Sequence, residues 1–287
     1  MNARRFANLR QAYDLALAGA IGAVFGLFFY VELVEVDSVW SRDAMAGVSI
    51  GGMIGYALNL AAPLRDRAWS KLARASSWGA IAGASGGAIG LVLGEVVLGT
   101  IQGGLIGRAL SWAVLGLGIG VSQGVAYRSR EKLIFGLIGG GLGGFVGGWL
   151  FESLRTAMGN RYDLGQGLGI AMLGGGLGLG LAVVEQALRR AWVEVVNGRQ
   201  EGRSYLLGRG VSAIGLDERA AVGLFGDPEV ARHHAEIEST HDAFSIRNLD
   251  PEGRTKVNGD ALHAPRALVD GDTIELGGTR LVFRRRG

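Results

Sequence analysis

Six stretches of about twenty residues run almost without charge through the first two thirds of this chain, and they leave few folds open. They are roughly Tyr13–Val34, Ala44–Ala62, Trp78–Leu98, Leu105–Tyr127, Leu133–Phe151 and Gly167–Leu188. A helix needs about 20 mostly apolar residues to cross a bilayer. Only helices and closed barrels satisfy their backbone groups there. The sequence therefore predicts an α-helical membrane bundle of six spans, with the lipid bilayer as its surroundings. The first run follows Arg4, Arg5 and Arg10 and so also has the form of a secretory signal. Its length and its place in a repeat favour a span.

The spans are rich in a residue that weakens helices in water. Phe135 to Glu152 reads FGLIGGGLGGFVGGWLFE, with eight glycines in eighteen residues. Glycine costs a soluble helix about 1 kcal/mol relative to alanine. In lipid no hydrophobic drive brings helices together, and glycine lets two backbones approach without side chains between them. The glycines cover more than one face of this span, so it is expected to touch several neighbours. They suit a tightly packed bundle, or helices that slide past one another in a gate.

The glycines also repeat. Gly83, Gly86, Gly90 and Glu95 have the spacing of Gly140, Gly143, Gly147 and Glu152. Gly19, Gly22 and Gly26 follow it, with Glu32 one residue late. In the even spans Gly55, Gly120 and Gly180 each stand ten residues before an arginine, at Arg65, Arg130 and Arg190. This pattern predicts three hairpin repeats inserted in one direction about a pseudo-threefold axis. Gly83, Gly86, Gly90, Gly140, Gly143 and Gly147 are the expected helix-packing positions. Glu32, Glu95 and Glu152 fall at the ends of the odd spans, as a carboxylate ring that attracts cations or as ordinary interfacial charges. Arg108 stands across a turn from Glu95 and is its expected ion-pair partner.

Basic residues set the orientation. Twelve Lys and Arg lie at one end of the spans: Arg4, Arg5, Arg10, Arg65, Arg67, Lys71, Arg74, Arg128, Arg130, Lys132, Arg189 and Arg190. The opposite loops hold only Arg42, Arg155 and Arg161. Both termini are expected in the cytoplasm, in a multi-pass protein of the cell (inner) membrane. The net charge of +3 reflects this placement, so no nucleic-acid partner is expected.

Composition changes near residue 190, which predicts two domains, 1–190 in the membrane and 191–287 outside it. All four histidines and a dense charge pattern follow the boundary. Short strand-like runs, WVEVV, SYLL, HHAEIE, AFSIRNL, TIEL and RLVF, alternate with turn residues as in a β-sandwich. Within this region SAIGLDERAAVGLFGDPEVARHHAEIE, IRNLDPEGRTKVNGDAL and LVDGDTIELGGTRLVF resemble a forkhead-associated (FHA) domain across about 192–287. The resemblance implies an 11-stranded all-β sandwich whose loops at one end bind phosphothreonine peptides.

Position by position, the resemblance departs from the family where phosphate is held. The family's Gly-Arg is here Gly215-Leu216, and its Ser-Arg-x-His is Ala231-Arg232-His233-His234. Its Asn-Gly-Thr falls on Gly253-Arg254-Thr255, followed by the turn Asn258-Gly259. By the resemblance, Gly215, His234 and Gly259 brace the loops. The candidate partner-binding positions are Arg219, Arg232, Arg254, Thr255 and Asn258. With three contact positions changed, phosphothreonine recognition is expected to be degenerate, unless Arg219, Arg232 and Arg254 rebuild an anion site.

Adjacent His233 and His234 point to opposite faces of a strand, so no metal site is expected. With no cysteine in the chain, disulfides and thiolate ligands are excluded, and no cofactor is implied. No nucleophile–base constellation and no phosphate-binding GxxxxGK is present, so the chain does not read as an enzyme. It reads as a membrane protein presenting an FHA-like module to a cytoplasmic protein partner, as a docking or assembly scaffold able to form a homo-oligomer. The alternative is a channel or transporter regulated by that module. Span centres almost purely glycine and aliphatic, with Ser85 and Ser111 as the main exceptions, give a conducted solute few polar groups.

Overall fold

The computed structural model describes residues 3–33, 38–66, 68–101, 104–158, 162–198, 200–218, 220–240, 243–252 and 254–286. The chain divides into two compact units. One comprises Leu9–Arg65 and Leu72–Leu188, and the other Met1–Asn8, Asp66–Lys71 and Arg189–Gly287.

The described residues contain six helices, α1 (Ala3–Leu33), α2 (Val39–Asp66), α3 (Trp69–Ile101), α4 (Gly104–Tyr127), α5 (Arg130–Met158) and α6 (Tyr162–Leu188). Each is long and apolar enough to cross a membrane. Most outrun the apolar runs of the sequence, because backbone hydrogen bonding continues into flanking polar residues that hydropathy alone would cut off. Glycine joins each helix to the next. A Cβ at Gly22 would meet Ile54 of α2 at 2.9 Å, and one at Gly83 would strike the Gly51 carbonyl. Gly86 abuts Gly118, Gly140 abuts Gly116, and Gly143 abuts Gly176 with the Leu177 Cα 2.8 Å away. Gly174 returns to Gly19 of α1, so the contacts run α1–α2–α3–α4–α5–α6–α1 and close a ring.

The core of this ring comes mainly from the even helices. Residues four apart fall on one helix face, and Ile50, Ile54 and Leu58 of α2 are buried in this way. So are Leu115 and Ile119 of α4, and Leu173, Leu177 and Leu181 of α6. In the even helices Gly55 and Gly120 face Gly79 and Gly136 of the following helix. In α6 the matching contact, to Leu15 of α1, is made by Gly178, while Gly180 faces Gly139. The ten-residue interval to arginine therefore does not mark the equivalent glycine in α6.

The described residues of the other unit form eleven strands. They are β1 (Ala191–Val195), β2 (Ser204–Leu207), β3 (Gly210–Gly215), β4 (Val222–Gly223), β5 (Ala235–Thr240), β6 (Ala243–Asn248), β7 (Thr255–Val257), β8 (Asp260–Ala261), β9 (Arg266–Ala267), β10 (Thr273–Leu276) and β11 (Thr279–Arg285). They form two sheets, ordered β2-β1-β11-β10-β7-β8 and β4-β3-β5-β6-β9. Alternate residues point inward: Val193 and Val195, Ile237, Phe244 and Ile246, Ile274 and Leu276, Leu281 and Phe283 are all buried. The Phe244 and Phe283 rings from the two sheets meet at 5.4 Å. Asn258 and Gly259, with φ of 55° and 89°, make the β7–β8 turn. Two successive positive φ values suit a tight hairpin and explain the Asn-Gly pair.

Candidate functional site

Three loops meet at one end of the sandwich: 216–221 after β3, 224–234 after β4 and 249–254 after β6. Hydrogen bonds tie them together. The Leu216 and Asp217 amides donate to the Ala231 and Arg232 carbonyls, each at 3.1 Å. A side chain at Gly215 would strike the Arg232 carbonyl, so only glycine permits this approach. His234 is fully buried. Its Nδ1 accepts from the Ala231 amide at 2.9 Å, and its carbonyl accepts from the Leu249 and Asp250 amides at 2.9 Å each. One residue thus ties two loops, one through its ring and the other through its backbone carbonyl. Burial holds its pKa below the usual histidine value, chiefly by desolvation, which favours the neutral ring whose Nδ1 accepts from Ala231.

Two of the arginines expected to face a partner, Arg232 and Arg254, are engaged within the chain. Arg254 forks onto buried Asp250, with Nε 2.9 Å from Oδ2 and Nη2 3.2 Å from Oδ1, and its backbone amide donates to Oδ2 at 3.1 Å. Hydrogen bonding from Arg254 pulls the Asp250 carboxyl down to about 2. Arg232 lies 3.5 Å from Asp217, and His233 Nε2 lies 3.7 Å from the same carboxylate. Thr255 is fully buried and donates to Asn248 Oδ1 at 2.6 Å. The Asn258 amide donates to Asp272 at 2.8 Å and its oxygen accepts from the Thr273 amide at 2.9 Å. Leu216 packs against the sandwich core. Arg219 and Gly253 lie outside the described residues.

Charge at this end opposes an anion. The three loops carry Asp217, Glu218, Asp227, Glu229, Asp250 and Glu252 against Arg219, Arg232 and Arg254. Six carboxylates facing three guanidiniums repel a phosphate dianion unless a free arginine fork meets it.

In the helical unit the carboxylates Glu32, Glu95 and Glu152 have different settings. Glu32 and Glu95 are exposed, whereas Glu152 is buried. Arg108 pairs with Glu152, its Nη1 3.7 Å from Oε1, and not with Glu95 across the turn. Arg155 adds a contact at 3.0 Å and the Trp112 indole donates at 3.4 Å. A buried carboxylate requires such compensation and an exposed one does not. Ser85 returns its hydroxyl to the Ile81 carbonyl, while Ser111 donates across to Gly94 of α3 at 2.7 Å.

Sequence reasoning passed over a second polar group, on α2 and α4. Asn59 and Ser122 are fully buried, and Asn59 Nδ2 stands 3.4 Å from Ser122 Oγ. Gln123, one residue on, occupies the next turn below Ile119 on the inner face of α4. Only Gln123 lies four residues from a buried aliphatic position, Ile119, whereas Asn59 and Ser122 follow Gly55 and Gly118 at that interval.

A family model described as the inner membrane component of T3SS, cytoplasmic domain, matches residues 194–287. With the two-sheet, eleven-strand topology, the C-terminal unit is FHA-like. Similar solved structures include an FHA domain from an analysis of phosphothreonine-dependent FHA interactions, 28% identical with a TM-score of 0.32 over 34% of this chain and 98% of that one. The FhaA FHA domain, solved with the intracellular domain of Rv3910, is 30% identical with a TM-score of 0.30, over 33% and 99%. The cytoplasmic domain of the T3SS sorting platform protein PscD from P. aeruginosa is 21% identical with a TM-score of 0.31, over 34% and 83%. No curated protein matches the chain.

Proposed function

We propose that the chain is a non-enzymatic assembly scaffold of the bacterial inner membrane. Its FHA-like sandwich engages a protein partner in the cytoplasm without reading phosphate. The description of the matching family, an inner membrane component with a cytoplasmic domain, supports the setting. The distribution of basic residues supports placing both termini in the cytoplasm. The glycine contacts that close the helical ring support three hairpins of one pattern packed through their backbones.

The observation that carries the loss of phosphate recognition is the engagement of Arg254 and Arg232. Arg254 is held by Asp250 and Arg232 by Asp217, and Leu216 offers an aliphatic chain where the resemblance implies a guanidinium. Phosphate binding through Arg254 would have to break its ion pair and leave the buried Asp250 carboxylate without its partner, which is costly. Calorimetry of the full chain in lipid nanodiscs tests this. A degenerate phosphothreonine library and its unphosphorylated counterpart should give indistinguishable heats. Binding that depends on the phosphate would overturn the reading.

A further inference from the structure

Residues 66–71 belong to the same compact unit as the sandwich. Two contacts connect this segment with the loop after β3. The Lys71 backbone amide donates to Glu218 Oε2 at 3.2 Å, and Lys71 Nζ donates to the Ala220 carbonyl at 3.4 Å. We propose that this loop is a cis-docking loop, and that the partner it holds is the chain's own basic segment around Lys71.

Helix chemistry explains why a carboxylate fits there. α3 begins at Trp69 and has no acidic residue in its first turn. The first four amides of a helix lack intrahelical acceptors, and the dipole there favours negative charge. Glu218 supplies the missing carboxylate from about 150 positions away in the chain, and so acts as an N-terminal cap contributed by another element. Charge reinforces the fit. Lys71 brings an ammonium to a loop that contributes Asp217 and Glu218. Ala220 is buried, so its carbonyl is a fixed acceptor.

The contact extends the functional reading given above and rests on it. A loop end that has lost its phosphate contacts retains an acidic, hydrogen-bonding surface, and a basic segment takes it. An outside partner that uses the same loop has to displace residues 66–71.

The chain has no cysteine, so engineered thiols report without background. Lys71→Cys with Ala221→Cys, in the full chain in native membranes, retains both Glu218 and the Lys71 amide. A short bismaleimide should link the two positions within one molecule, visible as a mobility shift without a dimer band. Lys71→Cys with Lys256→Cys, on β7, should not link. Adding Glu218→Lys should lower the linked fraction at least threefold. A linked dimer would mean that the loop docks on a second copy, and would overturn cis docking. No link, or equal linking by the β7 pair, would overturn it too, as would a fraction indifferent to Glu218→Lys. None of these outcomes bears on phosphate binding, which calorimetry reads separately.

Discussion

Arg254 and Asp250 form the tightest charged pair at the loop end of the sandwich, a guanidinium fork on a carboxylate that is itself buried. The pair binds the end of the loop to its beginning, four residues apart. It converts a residue that resemblance would assign to partner binding into part of the frame. Arg254→Ala leaves the Asp250 carboxylate buried with only the backbone amide as a donor. A clear loss of stability is expected, larger than for Arg232→Ala, whose ion pair is the more exposed. Thermal unfolding of the sandwich followed by near-UV dichroism measures the difference, and equal melting points for the two variants would refute it.

The same pair fixes an acid dependence. The folded pKa of Asp250, about 2, lies below its unfolded value, so the unfolded chain binds more protons at moderately low pH. Its contribution is complete above the unfolded value near 4 and is lost as pH falls toward 2. His234 acts in the same sense over a higher range. Its folded pKa is lowered by burial, so stability is lost as pH drops through the unfolded value near 6.5. The sandwich should therefore weaken in two stages on acidification. Asp250→Asn should remove the lower stage and His234→Gln the upper. A single stage untouched by either substitution would contradict both assignments.

Much of the frame is legible in the sequence because it obeys simple periods. Apolar length gives the six helices, alternation gives the longer strands, and the Asn258-Gly259 pair marks a tight turn. The glycine spacing anticipates that Gly83, Gly86, Gly140 and Gly143 abut other glycines. What does not follow from local pattern is which distant partner satisfies a charge. Arg108 chooses Glu152 over the nearer Glu95 because helix packing buries Glu152, and burial is a property of the assembled bundle. The engagement of Arg232 and Arg254 is invisible for the same reason, since the sequence shows a basic residue without showing what already holds it. β4, β8 and β9, each two residues long, are too short to leave an alternating signature.

Glycine packing makes a direct prediction. Gly143→Leu would drive a side chain into the Gly176 carbonyl and the Leu177 Cα, whereas Leu142 faces outward at 57% exposure. Gly143→Leu should lower the melting temperature in detergent markedly, and Leu142→Ile by little. Equal melting temperatures would show that these helices are not held by backbone contact.

The aliphatic core bears on conduction. Ile54, Ile119 and Leu177 are all essentially inaccessible, and an ion crossing among them would shed its hydration without replacement. The purified protein in liposomes should pass no potassium above the empty-vesicle rate. A flux abolished by Ile119→Trp would show instead that this core opens.

Restoring phosphate recognition is the most demanding prediction, because it asks the loops to recover a chemistry they have lost. Leu216→Arg returns a guanidinium to the position where the FHA resemblance implies one, and its methylene stem can cover the apolar surface that Leu216 now covers. Ala231→Ser returns a hydroxyl on the adjoining loop, whose backbone is already fixed by the 2.9 Å bond from Ala231 to His234. Hydrogen bonds to charged groups contribute roughly 1.5–3 kcal/mol each. Against them stand the six loop carboxylates and the requirement that residues 66–71 leave the loop. A net gain of about 1.4 kcal/mol would give tenfold discrimination, so the double variant should prefer phosphothreonine peptides by about that factor. Either single substitution should fall short of it. Glu218→Gln added to the double variant should sharpen the preference, since it removes a repelling charge and loosens the docked segment together. If the double variant binds phosphorylated and unphosphorylated peptides alike, with the sandwich folded by dichroism, the two lost side chains are not what separates this loop end from a phosphate reader.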